Sequence, residues 1–199
     1  NLFTSEMSPE GWRALNRLTR EQGDIAVLCG LESAYVERPF AVHDAVLRHF
    51  YTKIEYVDRL EDVTAPADKF TIYLPQHNAQ QAYDTVYASQ RSIYSVAVAG
   101  ECWVDIMNPG VHKGAALQTL GQLWGLPSES MMAFGDTYND AEMLQTVRYG
   151  FLMENGSEPL RQKVPFLAPS HREAGVMQVL HRVLAQNGCV CPEDFIPAH

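Results

Sequence analysis

Between Met131 and Asp140 the sequence passes from a short apolar stretch, Met131-Met132-Ala133-Phe134, directly into Gly135-Asp136-Thr137-Tyr138-Asn139-Asp140. A brief, continuously apolar strand suits burial on both faces, the situation of parallel strands covered by helices. The same alternation surrounds it. A helical stripe of Ala116, Leu117, Leu120 and Leu123 predicts a helix over 112–124. Further helices are predicted over 140–147, 158–163 and 173–185, with strands over 149–153 and 166–167. Repeated strand–helix units argue for a parallel sheet, so the fold class is α/β. The tail 187–199, with two prolines, is expected to wrap the surface.

The start of the chain reads in a similar way. Ser8-Pro9-Glu10 is a helix start, with a Ser cap and Pro at the first helical position. Trp12, Leu15, Leu18 and Thr19 give the stripe, and Gly23 ends it. Ile25-Ala26-Val27-Leu28-Cys29 is apolar throughout and suits another buried parallel strand. The middle differs. Helices over 41–50 and 79–88, a strand over 69–74 and a hairpin of 92–99 with 101–107 about Gly100 make an α+β unit. The expected organisation is a discontinuous core, 1–31 with 111–199, and an inserted α+β domain over 32–110.

Charge narrows the partners. The net charge is −9, and Lys and Arg nowhere form a run, which argues against nucleic acid. An acidic protein that binds an anion must supply positive charge locally, from a metal, a lysine or backbone N–H groups. Four cysteines in no zinc spacing read as free thiols of a reducing compartment. With no apolar run of membrane-spanning length, the expectation is a soluble cytoplasmic protein with no membrane partner.

In open α/β sheets ligands bind at the carboxyl ends of the strands, where Gly135–Asp140 falls. Asp136 would place a hard carboxylate oxygen there, the donor Mg²⁺ prefers. Asn139 and Asp140 would cap the next helix, whose free N–H groups attract anions. Turn chemistry alone is the competing reading of the same six residues. Lys113 opens a helix after Pro109-Gly110. It is either a solvated charge or the non-metal cation a phosphate site needs.

Order and spacing then resemble a known family. Val111-His112-Lys113-Gly114-Ala115-Ala116-Leu117, Ala133–Leu144, Met153-Glu154-Asn155-Gly156 and Ala174-Gly175-Val176 look like the C-terminal half of Cof-type members of the haloacid dehalogenase superfamily. Ser8-Pro9 with its helix, followed by Ile25–Gly30, is similar to that family's first helix and second strand. The resemblance implies a Rossmann-like core with an inserted cap, and Mg²⁺-dependent hydrolysis of a small phosphorylated metabolite such as a sugar phosphate. It implies Asp136 as metal ligand, Asn139 and Lys113 as phosphate contacts, and Asp140 as the group that orients Lys113. Cys29 and Gly30 stand where the family binds phosphate, Cys29 replacing a Ser or Thr.

The family's nucleophile is an aspartate in an Asp-x-Asp-Gly motif, and the 199 residues contain none. Asn1-Leu2-Phe3-Thr4-Ser5-Glu6 resembles the residues that would follow it. A second segment of the family pattern is lacking after Gly30. The expectation is a longer protein whose omitted segments include the nucleophile and carry a phospho-aspartate step. The alternatives are a degenerate, non-catalytic phospholigand-binding or regulatory protein, and a phosphomutase on the same core.

Overall fold

The computed structural model describes residues 4–199, so Asn1–Phe3 of the proposed post-motif stretch lie outside the described residues. The chain divides into two compact units, the first ending at Val111 and the second spanning His112–His199.

The first unit begins with α1 (Pro9–Gln22). The Ser8 hydroxyl accepts from the Gly11 amide at 3.1 Å, and Gly23 closes the helix at φ 74°, as the sequence predicts. Then come β1 (Ile25–Gly30), β2 (Ala34–Glu37), α2 (Asp44–Phe50), β3 (Ile54–Val57), β4 (Ala67–Tyr73), α3 (Ala79–Thr85), β5 (Ser95–Val98) and β6 (Trp103–Met107). The strands form one six-stranded sheet in the order β3-β2-β1-β4-β6-β5. Only β2 and β3 run parallel. The β5–β6 hairpin turns through Gly100 at φ 86°, a left-handed conformation that favours glycine.

Here the structure departs from the sequence reading. β1 is antiparallel to both of its neighbours in this sheet, β2 and β4, and is not a parallel strand. The physical reason is coverage of both faces. Ala26 and Leu28 point into a core with Trp12 and Leu15 of α1, Phe70, Ile72 and Tyr87. Ile25, Val27 and Cys29 point the other way, among Val36, Leu47, Tyr73 and Trp103. A strand buried on both faces loses its polar alternation whatever its direction, so β1 imitates a parallel strand. Cys29 pairs with Ala34, and the Gly30 amide donates to the Ser33 carbonyl at 2.9 Å, so β1 and β2 join by a tight turn.

The second unit contains α4 (Lys113–Trp124), β7 (Met132–Gly135), α5 (Ala141–Thr146), β8 (Tyr149–Met153), β9 (Phe166–Ala168), α6 (Gly175–Ala185) and β10 (Ile196–Pro197). Strands β7, β8 and β9 are parallel, as the alternation predicts. Leu144, Val147, Leu152 and Leu160 fill one face, and Phe151, Phe166, Val179 and Phe195 the other. The tail does more than wrap: β10 pairs antiparallel with β9, and Phe195 reaches the core. The result is an α/β fold with a parallel-rich sheet in the second unit. No described helix is long and apolar enough to cross a membrane.

Candidate active site at the carboxyl end of the parallel sheet

β7 ends at Gly135, and the reason it must be glycine is steric. A Cβ there would lie 2.5 Å from Cβ and 2.8 Å from Cγ of Asp140. The missing side chain admits Asp140, which folds back under the loop and is buried. Its Oδ2 accepts from the amides of Asp136 (2.9 Å) and Thr137 (3.2 Å), while Oδ1 accepts from Lys113 Nζ. Burial alone would raise this carboxyl. The bonds from Lys113 and the two amides outweigh burial and hold it below the ordinary carboxylate range.

Asp140 therefore ties the start of α4 to the loop after β7. Lys113, the first residue of α4, keeps its side chain half exposed. An ammonium has three donors, and Asp140 takes one. Asn139 is half-buried, and its Oδ1 accepts from Thr137 Oγ1 at 2.6 Å. That bond directs the side-chain NH₂ as a donor. Asp136 is exposed, and among the described residues its carboxylate makes no hydrogen bond or ion pair.

Sequence reasoning assigned no role to two supports of this site. The Ser157 amide donates to the Asp136 carbonyl at 2.8 Å, and a Cβ on Gly156 would lie 2.9 Å from that oxygen. The loop after β8 thus holds the Asp136 backbone, and Asn155-Gly156 directly after a strand was its signal. His112, the other support, caps α4 through its side chain.

The structure brings Lys113, Asp136, Asn139 and Asp140 together in the second unit. Cys29 and Gly30 belong to the first unit. Cys29 Sγ is buried, 3.6 Å from Thr71 Oγ1 and 3.7 Å from Tyr51 OH. Burial pushes its thiol up, against the pull of Lys69 and Thr71. The Gly30 amide donates to the Ser33 carbonyl.

A hard carboxylate without a protein partner fits a cation that retains most of its water. Mg²⁺ commonly binds through one or two carboxylates plus waters and substrate phosphate. No described group of three or more His, Cys, Asp or Glu side chains is arranged to hold a metal. Among the described residues, Asp136 carries the carboxylate of this loop that makes no hydrogen bond or ion pair.

Residues 1–180 match the model of the haloacid dehalogenase-like hydrolases. The 5-amino-6-(5-phospho-D-ribitylamino)uracil phosphatase of Escherichia coli K12 is 29% identical over 187 residues, covering 92% of this chain and 69% of the relative. An Escherichia coli HMP-PP phosphatase is 45% identical over 69 residues, 35% of this chain and 27% of that protein. A structure from Streptococcus mutans, 26% identical, superposes with a TM-score of 0.79 over 90% of this chain and 69% of that one. A Plasmodium vivax HAD/COF-like hydrolase shares the fold at 16% identity, with a TM-score of 0.81 over 92% of this chain and 66% of that one. The chain belongs to the haloacid dehalogenase-like hydrolases. The two relatives from Escherichia coli are both named as phosphatases.

Proposed function

We propose that the protein hydrolyses a small phosphorylated metabolite, such as a sugar phosphate, in a Mg²⁺-dependent reaction centred on the loop Gly135–Asp140. One observation carries the reading. A buried carboxylate, Asp140, fastens Lys113 to the amides of Asp136 and Thr137 and leaves the Asp136 carboxylate free. The two Escherichia coli relatives are phosphatases, and one is named for a phosphoribitylamino-uracil.

The roles follow from the chemistry of each group. Asp136 holds the metal, which when bound neutralises phosphate charge and orients the phosphoryl group. Lys113 uses the donors that Asp140 leaves free to neutralise the charge that grows on the transferring phosphoryl oxygens. Asn139 donates through its amide and fixes the orientation of the phosphate. Asp140 positions Lys113 and remains an anion while doing so. The nucleophilic aspartate that the family uses has no counterpart among these 199 residues, so these four side chains bind, orient and neutralise charge.

The test is turnover of p-nitrophenyl phosphate by the full-length protein, with and without chelation of Mg²⁺. Turnover that chelation stops supports the reading. Turnover unaffected by chelation contradicts it, and phosphate binding without turnover would favour a non-catalytic phospholigand protein.

A further inference from the structure

The helix that carries Lys113 starts on an unusual residue. Helix caps are ordinarily Ser, Thr, Asp or Asn, whose oxygen accepts an amide of the first turn. At α4 that place belongs to His112, in extended backbone at φ −158° and ψ 164°. Its Nδ1 accepts from the Ala115 amide at 3.2 Å. A ring nitrogen that accepts carries no proton, so the ring proton sits on Nε2. The first turn is also fixed from its other side. A Cβ on Gly114 would lie 2.8 Å from the backbone carbonyl of Glu142, so α4 touches the backbone of α5 one residue beyond Lys113.

We infer that His112 is a positioning residue for the phosphate-binding lysine: its Nδ1 cap, with the Gly114–Glu142 contact, fixes the first turn of α4 from which Lys113 reaches Asp140. The inference rests on the proposed role of Lys113. Among the described contacts, Asp140 is the only polar side-chain partner of Lys113, and one bond does not set the direction of a four-carbon stem. The direction of its Cα–Cβ bond is set by the backbone of the first helical residue, and that backbone is held by the cap. Without the cap the first turn frays, and the ammonium keeps its charge but loses its place. A lysine that acts on charge developing in the transition state then loses rate rather than ground-state affinity.

Two substitutions in the full-length protein test this, His112→Ala and His112→Asn, with p-nitrophenyl phosphate as the probe. Asparagine supplies a side-chain acceptor of the right reach, whereas alanine supplies none. His112→Ala is expected to lower kcat about 3- to 10-fold with KM changed by less than about twofold, and His112→Asn to restore kcat to within about twofold of the starting protein. Full kcat in His112→Ala overturns the inference, and so does His112→Asn as slow as His112→Ala. If the unsubstituted protein shows no turnover, the phosphatase reading fails, and amide hydrogen exchange then judges the cap by itself. Exchange at Ala115 that quickens in His112→Ala and not in His112→Asn supports the cap, and exchange unchanged in both refutes it.

Discussion

The two sheets of this protein bury their strands to a similar degree and use them differently. In the second unit β7 and β8 are parallel, both faces are covered, and the carboxyl end of β7 opens into a loop of polar residues. In the first unit β1 and β4 are just as buried, but antiparallel pairing gives each end of the sheet strands of both directions. A parallel sheet gathers its strand ends, and the helix starts that follow, on one edge. An antiparallel sheet of this kind does not. Lys113, Asp136, Asn139 and Asp140 collect in the second unit, whereas Cys29 is buried in the first.

The largest expected effect comes from removing the free carboxylate. Asp136→Ala is predicted to lower kcat/KM for an aryl phosphate by about 10²- to 10³-fold, the range seen when one preorganised electrostatic group is lost. Retained folding is checked by circular dichroism, because Asp136 is exposed and contributes only its backbone to the loop. Activity within tenfold of the original would move the centre of the chemistry away from the second unit.

A core truncation in each unit sharpens the division between them. Phe70 and Phe151 are fully buried, one in each sheet. Replacing either by Ala is predicted to cost about 3–5 kcal/mol. Amide exchange should quicken around β4 in Phe70→Ala and around β8 in Phe151→Ala. Quickening of the 25–30 amides with those of β8, and not with those of β4, would restore the discontinuous core expected from sequence.

A smaller effect is expected from pH. Bonds to Lys113 and two amides hold Asp140 below the ordinary carboxylate range, against the raising effect of burial. A carboxyl depressed in the folded state stabilises it fully above the unfolded value, near pH 4, and that contribution is lost as pH falls through the depressed value. Lowering the pH from about 5 towards 2 should therefore reduce the melting temperature more in the original protein than in Asp140→Asn. Parallel profiles would mean that the carboxylate is not held as an anion by these partners.

Much of this was legible in the sequence. The second unit declared itself because Met131–Phe134 is apolar, Gly135-Asp136 ends it, and a helical pattern follows at once. Lys113 was readable from its place at a helix start. The first unit was misread for a physical reason: coverage on both faces erased the alternation in Ile25–Cys29 that would have marked an antiparallel strand. β2 and β3 went unrecognised because four residues each carry too little periodicity. Their parallel pairing needs a return through α2 that no local pattern announces. His112 escaped notice because histidine is not among the usual caps, and the grip of Ser157 on the Asp136 carbonyl is a backbone contact whose one signal is the Asn155-Gly156 pair before it.

The central claim, proposed above, is that the second unit's cluster handles phosphate. Parallel kinetics of Lys113→Met and Cys29→Ala on p-nitrophenyl phosphate test it most directly. The predicted result is a fall in kcat/KM of about 10²-fold or more for Lys113→Met, and a change of less than about twofold for Cys29→Ala. A large loss in Cys29→Ala with its fold intact, beside near-normal turnover in Lys113→Met, would contradict that claim.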